Sequence, residues 1–279
     1  MAVTAILFPG QGSQTPEMRD TVAEVRPDLL SLAEQIVGED PFARAEEGTR
    51  FAQPAIFCAS LAGWESLGRP SADFMAGHSL GELAALVAAG CLEERAGLEL
   101  VALRGKLMQE SGERAGDGGM LALLGAGAAD HAAELAEANG LSVANDNSPQ
   151  QVVLSGDRAG FAGASAAAQE LRLRAMELPV TGAFHSPMMA EAVPEFSEAL
   201  AKVEVTSPRD VTVLSAVTAA PFEDVRAQLA QALTMPVRWR ETLLALRELG
   251  AERFLEVGPG KVLTGLVKRT LRDVELAHA

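Results

Sequence analysis

One serine stands in the sequence pattern that exposes a hydroxyl group for nucleophilic attack. Ser79 is the centre of residues 77–81, Gly-His-Ser-Leu-Gly, which fit G-x-S-x-G. Residues 73–76 precede it as the end of a short buried strand, and an amphipathic stretch, 82–89, follows it, which predicts a strand, a sharp turn and a helix. In that context the hydroxyl lies at a helix N-terminus, where amide groups favour developing negative charge. The alternative is a chance match in a chain with 26 glycines.

A nucleophilic serine needs a base that accepts its proton, and histidine is the usual one. The chain has four histidines. His131 lies in a polar predicted helix, His278 is next to the last residue, and His78 is the neighbour of the serine. His185 precedes a Ser-Pro pair, which is a good N-cap and N1 combination, and so lies on a connector just before a helix. By elimination His185 is the best candidate base, although a lone histidine is usually structural.

Arg104 is an unusual member of the long helix predicted over 93–114. It shares a helical stripe with Leu100, Leu103 and Leu107. A buried, unpaired charge costs several kcal/mol, so either an internal carboxylate or the carboxylate of a ligand must satisfy it. From spacing alone the internal partner is favoured, because most ion pairs are structural.

A glycine-bracketed loop follows the strand predicted over 3–8. Gly10 and Gly12 allow the backbone around Gln11 to adopt conformations that other residues resist. Ligands of open α/β sheets bind at the carboxyl ends of the strands, where this loop lies. The alternative is a plain strand-to-helix turn, which the loop by itself favours.

The predicted elements form two groups. Outside residues 117–180, strands alternate with helices, as in an α/β fold with a parallel sheet. Within 117–180 the order is β-α-β-β-α-β, which is a ferredoxin-like arrangement. We therefore predict one catalytic subdomain formed by 1–116 and 181–279, interrupted by the insert, and a frayed tail over 274–279.

Three predicted helices bear on the candidate site. One begins at Gln53 or Pro54 and ends near residue 66, and Gln53 either caps it or contacts a substrate, with capping favoured. A single helix runs from the Ser-Pro pair to Lys202, and another spans 222–233.

Composition excludes several classes of function. The chain has 279 residues, 48% of them hydrophobic, and a formal net charge of −15, which opposes a general affinity for nucleic acid or anionic membranes. No apolar run is long enough to span a bilayer, and no basic segment precedes the first apolar run as in a signal peptide. Cys58 and Cys91 lie in no metal-binding pattern, so we expect buried thiols, a cytoplasmic protein, no metal and no cofactor. We also expect a monomer.

Seven segments, in order along nearly the whole chain, resemble the malonyl-CoA:acyl carrier protein transacylase family. Their residues are 8–14 (FPGQGSQ), 77–82 (GHSLGE), 104–109 (RG with MQ), 147–153 (NSP with QVV), 183–187 (AFHSP), 236–239 (PVRW) and 256–261 (EVGPGK). The resemblance implies an α/β-hydrolase-like large subdomain with an inserted ferredoxin-like one, in agreement with the predicted elements.

The resemblance also implies roles for individual residues. Ser79 would attack the malonyl thioester, and His185 would take its proton and return it to the leaving thiol. Backbone N–H groups of Gln11 and Leu80 would form the oxyanion hole. Arg104 would bind the free malonyl carboxylate, which reverses the preference for an internal partner.

Four further residues are assigned to substrate binding, three of them by the same resemblance. Gln53 corresponds to a glutamine near the malonyl carboxylate, Asn147 to a residue that lines the cleft between the subdomains, and His78 lies beside the nucleophile. Phe184 corresponds to the bulky residue associated with malonyl rather than methylmalonyl selection, since a phenyl ring leaves little room for an added methyl group.

No acid of a Ser-His-Asp triad is evident in the sequence. In the family the histidine is held by a backbone carbonyl, which lies near Ala232 here and needs no particular side chain. The sequence departs from the family at Met235, where asparagine is common before Pro236.

The alternatives differ in acceptor or in class. A freestanding polyketide or malonate-decarboxylase malonyltransferase would use the same chemistry with another carrier. A serine esterase or thioesterase would need a late histidine, and here only His278 is late. An inactive carrier-binding scaffold is the third alternative.

We expect malonyl-CoA and a phosphopantetheinylated carrier as partners, and because carriers are acidic, docking needs a local basic patch. Candidate residues are Lys261, Lys268, Arg269 and Arg272, with Arg238 and Arg240 nearby; a solvated helix face is the alternative.

Overall fold

The computed structural model describes residues 2–208 and 210–278. The predicted ranges 1–116, 181–279 and 274–279 therefore include Met1, Arg209 or Ala279, which lie outside the described residues. The strands are β1 (Thr4–Phe8), β2 (Phe74–Gly77), β3 (Gly118–Leu124), β4 (Ser142–Ser148), β5 (Gln151–Asp157), β6 (Arg174–Glu177), β7 (Thr212–Ser215), β8 (Ala220–Pro221), β9 (Arg253–Glu256) and β10 (Glu275–His278).

The α-helices lie between and around these strands. They are α1 (Met18–Val25), α2 (Pro27–Val37), α3 (Thr49–Ser66), α4 (Gly81–Ala88), α5 (Glu94–Ala115), α6 (Ala128–Ala138), α7 (Phe161–Glu170), α8 (Val193–Lys202), α9 (Val225–Gln231), α10 (Trp239–Glu248) and α11 (Val262–Thr270). None of the described helices is long and apolar enough to cross a membrane.

The larger sheet has the strand order β10-β9-β1-β2-β7-β8. Its strands pair in parallel, apart from the antiparallel β7–β8 pair at one edge. Ala5, Ile6, Leu7 and Phe8 of β1 are all buried, because helices cover both faces of this central strand. Since β1 and β2 are parallel neighbours, the loop after β1 and the turn after β2 emerge together at one edge of the sheet.

The second sheet has the order β4-β5-β3-β6, and every pair in it is antiparallel. With α6 between β3 and β4, and α7 between β5 and β6, this is the ferredoxin-like order. The alanine-rich helices α6 and α7 pack on one face through a small apolar core of their own. The predicted fold class, an α/β protein with a parallel sheet and an inserted ferredoxin-like sheet, is confirmed.

Two predictions at helix starts were wrong. Helix α3 begins at Thr49, four residues before Gln53, so Gln53 is not a capping residue and Pro54 lies inside the helix. The segment after His185 is a 3₁₀-helix over Pro187–Ala192 followed by α8, rather than one helix. Pro194 at the start of α8 explains the break, because proline lacks the N–H group that a continuous helix would use.

Two predictions near the C-terminal end were also wrong. The helix predicted over 222–233 is shorter, since the two-residue strand β8 and the N-cap Asp224 precede α9. The predicted frayed tail contains strand β10, which pairs with β9 from Glu275 to His278. A four-residue strand at a sheet edge leaves little local signal in the sequence. Its pairing with β9 is set by the fold and not by the residues of the tail itself.

Candidate active site

The turn after β2 holds Ser79 in a backbone conformation that non-glycine residues rarely adopt. The φ angle of Ser79 is +54°, in the left-handed region. The turn is so tight that a Cβ atom on Gly77 would lie 1.9 Å from the carbonyl carbon of Gly81. A Cβ atom on Gly81 would lie 2.2 Å from the carbonyl oxygen of Phe8. Both glycines of the pattern are therefore required by the packing, and the turn has the form of a nucleophile elbow.

His185 lies beside the serine although 106 residues separate them in the chain. The distance from Ser79 Oγ to His185 Nε2 is 2.9 Å. The other ring nitrogen, Nδ1, lies 2.8 Å from the carbonyl oxygen of Ala232, which can only accept a hydrogen bond. Nδ1 therefore carries the proton, and Nε2 is left to accept one from Ser79. Burial, and then the positive charge of Arg104, lower the pKa of His185 to about 3, which keeps the imidazole neutral.

The loop that supports His185 does not depend on the side chain of Met235. This side chain is 46% exposed. The Met235 N–H group donates to the carbonyl oxygen of Gln231, and the Ala232 N–H group donates to that of Gln228. Backbone hydrogen bonds thus hold the Ala232 carbonyl in position, so methionine in place of the family's asparagine leaves the support of the histidine intact.

Arg104 reaches the nucleophile from helix α5. Its guanidinium Nη2 lies 3.1 Å from Ser79 Oγ, and Nη1 lies 2.8 Å from Gln53 Oε1. The side chain is buried, yet among residues 2–208 and 210–278 no carboxylate lies within ion-pair distance of it. The internal carboxylate that spacing alone favours therefore makes no direct ion pair in the described part of the chain, and the charge of Glu82 acts on Arg104 only from beyond ion-pair distance. Burial lowers the pKa of Arg104 to about 10, which still leaves the group charged at neutral pH.

A cavity of about 310 Å³ opens onto these side chains. Gln11, Leu80 and Phe184 line it together with the serine, histidine and arginine. Within the described residues, neither the Gln11 nor the Leu80 backbone N–H group donates to a protein acceptor. Gln11 and Leu80 thus each bring an uncommitted amide to the cavity that Ser79 lines, and an oxyanion hole requires such amides.

His78 and Asn147 contact each other rather than forming separate parts of the cavity wall. His78 Nε2 donates to Asn147 Oδ1 at 2.8 Å, and the His78 ring lies edge-on to Trp239 with 5.4 Å between centroids. His78 lines the cavity, whereas on strand β4 it is Asn145, not Asn147, that does so. The amide of Asn147 instead ties the elbow to the second sheet.

Two buried polar residues were missed by the sequence analysis. Thr49 Oγ1 donates to Gln11 Oε1 at 2.6 Å and accepts a hydrogen bond from Gln53 Nε2 at 2.9 Å. Its spacing of four residues from Gln53 on a helix was the available signal. Glu82 is 2% exposed and accepts the Ala216 N–H group at 2.7 Å. It belongs to the GHSLGE segment, but its burial could not be read from that pattern; burial raises its pKa to about 7.

The basic residues proposed for docking separate into two groups. Arg238 and Arg240 form ion pairs with Glu241 and Asp146. By contrast, exposed cations on or next to α11 have no ion pair within the described residues, and only Arg269 makes a side-chain hydrogen bond, to Gln151. These cations, termed here the α11 basic patch, are Lys261, Lys268, Arg269 and Arg272.

Comparison with known proteins identifies the class. The model of the acyl transferase domain family matches residues 28–279, so the chain belongs to this family. It is 36% identical to the polyketide biosynthesis malonyl CoA-acyl carrier protein transacylase BaeC of Bacillus velezensis over 98% of both chains. It is 37% identical to the malonyl CoA-acyl carrier protein transacylase of a Synechocystis strain, covering 99% of this chain and 96% of that protein.

Two further comparisons concern a longer protein and a solved structure. The polyketide biosynthesis protein ThaF of Burkholderia thailandensis is 38% identical over 97% of this chain, but the match spans 24% of ThaF. The crystal structure of a malonyl-CoA:acyl carrier protein transacylase from Xanthomonas oryzae has a TM-score of 0.90 and 36% identity, covering 100% of this chain and 94% of that one. The predicted family is confirmed.

Proposed function

We propose that this chain transfers a malonyl group from malonyl-CoA, through a Ser79 acyl-enzyme, to the phosphopantetheine thiol of an acyl carrier protein. Arg104 supports this choice of acyl group more than any other feature. Its buried guanidinium lies 3.1 Å from the nucleophilic oxygen, and its hydrogen-bond partners within the described residues, Gln53 and Ser79, are both neutral. In a malonyl thioester one CH₂ group separates the carboxylate from the reacting carbonyl, so a cation this close to the nucleophile matches that carboxylate.

In the first half-reaction Ser79 becomes acylated. Ser79 Oγ attacks the thioester carbonyl carbon while its proton passes to His185 Nε2. The negative charge that develops on the carbonyl oxygen is stabilised by the Gln11 and Leu80 N–H groups. The carbon–sulfur bond then breaks, and the departing CoA sulfur takes the proton from His185. Malonyl-Ser79 and free CoA are the products.

The second half-reaction repeats these steps with another thiol. His185 takes the proton of the carrier's phosphopantetheine thiol, whose sulfur attacks the malonyl-Ser79 ester. The ester bond breaks and Ser79 Oγ recovers the proton from His185. The Ala232 carbonyl stabilises the transient imidazolium through Nδ1–H, in the place that an aspartate takes in a Ser-His-Asp triad. Gln53 orients Arg104, and Phe184 limits the space beside the acyl group.

The α11 basic patch supports a docking surface for an acidic carrier. Charge-reversing Lys268→Glu with Arg269→Glu should raise the KM for the carrier, while malonyl transfer to a small thiol keeps its kcat. Arg95→Glu with Lys106→Glu, which makes the same charge change on exposed positions of α5, is the matched control. Equal carrier kinetics in both double variants would exclude the patch.

The class of carrier is open between two pathways. BaeC is named for polyketide biosynthesis, and the Synechocystis relative carries no pathway in its name. Transfer rates to a fatty-acid carrier and to a polyketide carrier, measured side by side, would distinguish them. The esterase alternative is not favoured, because His278 lies on the edge strand β10, paired with Glu256, and not at the nucleophile.

Intact-protein mass spectrometry tests the proposed function directly. The wild type is mixed briefly with malonyl-CoA, acetyl-CoA or methylmalonyl-CoA, beside a Ser79→Ala control. We expect a malonyl adduct on the wild type alone, little or none from acetyl-CoA, and its loss when carrier with a free phosphopantetheine thiol is added. An adduct lost rapidly to water would favour a hydrolase. The absence of an adduct from every donor would refute the role of Ser79.

A further inference from the structure

Three hydrogen bonds, two of them buried and the third part-buried, connect Arg104 to the loop that carries Gln11. Arg104 Nη1 donates to Gln53 Oε1 at 2.8 Å, Gln53 Nε2 donates to Thr49 Oγ1 at 2.9 Å, and the Thr49 hydroxyl reaches Gln11 Oε1 at 2.6 Å. Arg104, Gln53 and Thr49 are 3%, 1% and 2% exposed. The chain of hydrogen bonds therefore lies out of solvent up to its last member.

The chemistry of the groups fixes the direction of the first two bonds, and the third follows because the amide oxygen of Gln11 faces Thr49. A guanidinium only donates, so Gln53 must turn its carbonyl oxygen towards Arg104 and its NH₂ group towards Thr49. The Thr49 hydroxyl accepts that N–H group and has one proton left, which it gives to Gln11 Oε1. Flipping the Gln53 amide would set its NH₂ group against the guanidinium of Arg104, donor against donor.

Two packed helices hold three of the four members of this chain of hydrogen bonds. Thr49 and Gln53 lie one turn apart on α3, and Arg104 lies on α5. A Cβ atom on Gly105 would be 2.7 Å from the Thr49 carbonyl oxygen, so these helices touch backbone to backbone beside Arg104. Gln11, in contrast, is exposed and lies on a loop, next to Gly12 with φ +97°. Within the described residues, Thr49 is the one protein group that hydrogen-bonds the Gln11 side chain.

We infer that the Thr49 hydroxyl is a positioning group that holds the Gln11 amide in register with the carboxylate-binding Arg104. This inference rests on the proposed function, since it assumes that Arg104 binds the acyl carboxylate and that the Gln11 N–H group stabilises the oxyanion. The two sites must lie a fixed distance apart, because one malonyl group bridges them. Without the hydroxyl, the loop carrying Gln11 would lose its tie to α3, and the oxyanion donor would be less well placed in the transition state.

The test is a double-mutant cycle between Thr49→Val and Gln11→Ala, read as kcat and KM for malonyl transfer. Valine keeps the shape of threonine without its hydroxyl, and alanine at Gln11 keeps the backbone amide. We expect Thr49→Val to lower kcat about tenfold with KM within about threefold. In the Gln11→Ala background the same change should lower kcat less than about threefold, because the side chain it acts through is gone.

Three further variants separate positioning from structure. Thr49→Ser restores the hydroxyl and should recover most of the kcat lost in Thr49→Val. Thr242→Val is the matched control, because Thr242 is also a buried threonine on a helix. Its hydroxyl donates to the backbone carbonyl of Arg238 and not to a side chain of the site. Thr49→Ala provides the same measurement if the valine variant does not fold.

Each outcome decides between the two ideas. A wild type that forms no malonyl adduct would refute the proposed function and this inference with it. A wild type that is acylated, with Thr49→Val equal to Thr242→Val, would refute the inference alone. A Thr49→Val effect of equal size in both Gln11 backgrounds, or one confined to KM, would also refute it.

Discussion

Glu82 makes the stability of this protein depend on pH in a direction opposite to that of most carboxylates. The side chain is 2% exposed, accepts the Ala216 N–H group and makes no ion pair within the described residues. Burial raises its pKa to about 7, from 4.5 in an exposed chain. Between pH 4.5 and 7 the folded protein therefore holds a proton that the unfolded chain has released, so stability falls as pH rises through this window.

The size of the effect follows from the two pKa values. A difference of about 2.5 units at 1.36 kcal/mol per unit corresponds to about 3 kcal/mol of unfolding free energy lost by pH 7. Glu82→Gln keeps an oxygen for the Ala216 N–H group but cannot ionise. We expect the unfolding free energy of wild type minus that of Glu82→Gln to fall by about 3 kcal/mol between pH 4.5 and 8.

Urea unfolding followed by circular dichroism, at half-unit steps from pH 4.5 to 8, measures this difference. Subtracting the variant removes the contributions of all other titrating groups. Glu241→Gln is the control, because the hydrogen bond from Arg238 lowers the pKa of Glu241; its contribution is lost only as pH falls below 4.5, and its difference curve should be flat above that. A flat curve for Glu82→Gln as well would refute the conclusion that burial keeps this carboxyl group protonated.

Three other predictions concern the cavity. Replacing Arg104 with methionine should lower kcat/KM for malonyl-CoA roughly 10²–10³-fold, through the loss of charge-assisted hydrogen bonds, and leave that for acetyl-CoA unchanged or higher; parallel losses for both donors would contradict it. Phe184→Ser should raise the methylmalonyl-to-malonyl ratio of kcat/KM at least about tenfold, since the lost ring leaves room for a methyl group; an unchanged ratio would mean that other residues set the choice. His185 should lower the unfolding free energy as pH falls below 6.5, because its pKa in the folded protein is about 3. At pH 5 the loss is about 2 kcal/mol. A His185→Gln variant with the same acid sensitivity as wild type in urea unfolding would count against this prediction.

The sequence by itself determined the features that depend on neighbouring residues. Gly77 and Gly81 around Ser79 define a turn whose backbone leaves no room for side chains, so the pattern carries its own geometry. Likewise the order of elements over 117–180 fixed a ferredoxin-like sheet, because α/β crossovers and hairpins allow few arrangements of four strands. The nucleophile Ser79 followed from its pattern and the base His185 from elimination among four histidines, whereas the substrate-binding roles followed from family resemblance.

Only the tertiary structure decided which distant groups meet. Spacing favoured an internal carboxylate for Arg104, but the fold surrounds it with Gln53 and Ser79 instead, because α3, α5 and the elbow converge there. Thr49 and Glu82 gained their importance from burial, which a single polar residue in an apolar stretch does not announce. Likewise, the four residues of the edge strand β10 did not by themselves predict a strand. Contacts between residues far apart in the chain depend on how whole elements pack, and local patterns carry no measure of that packing.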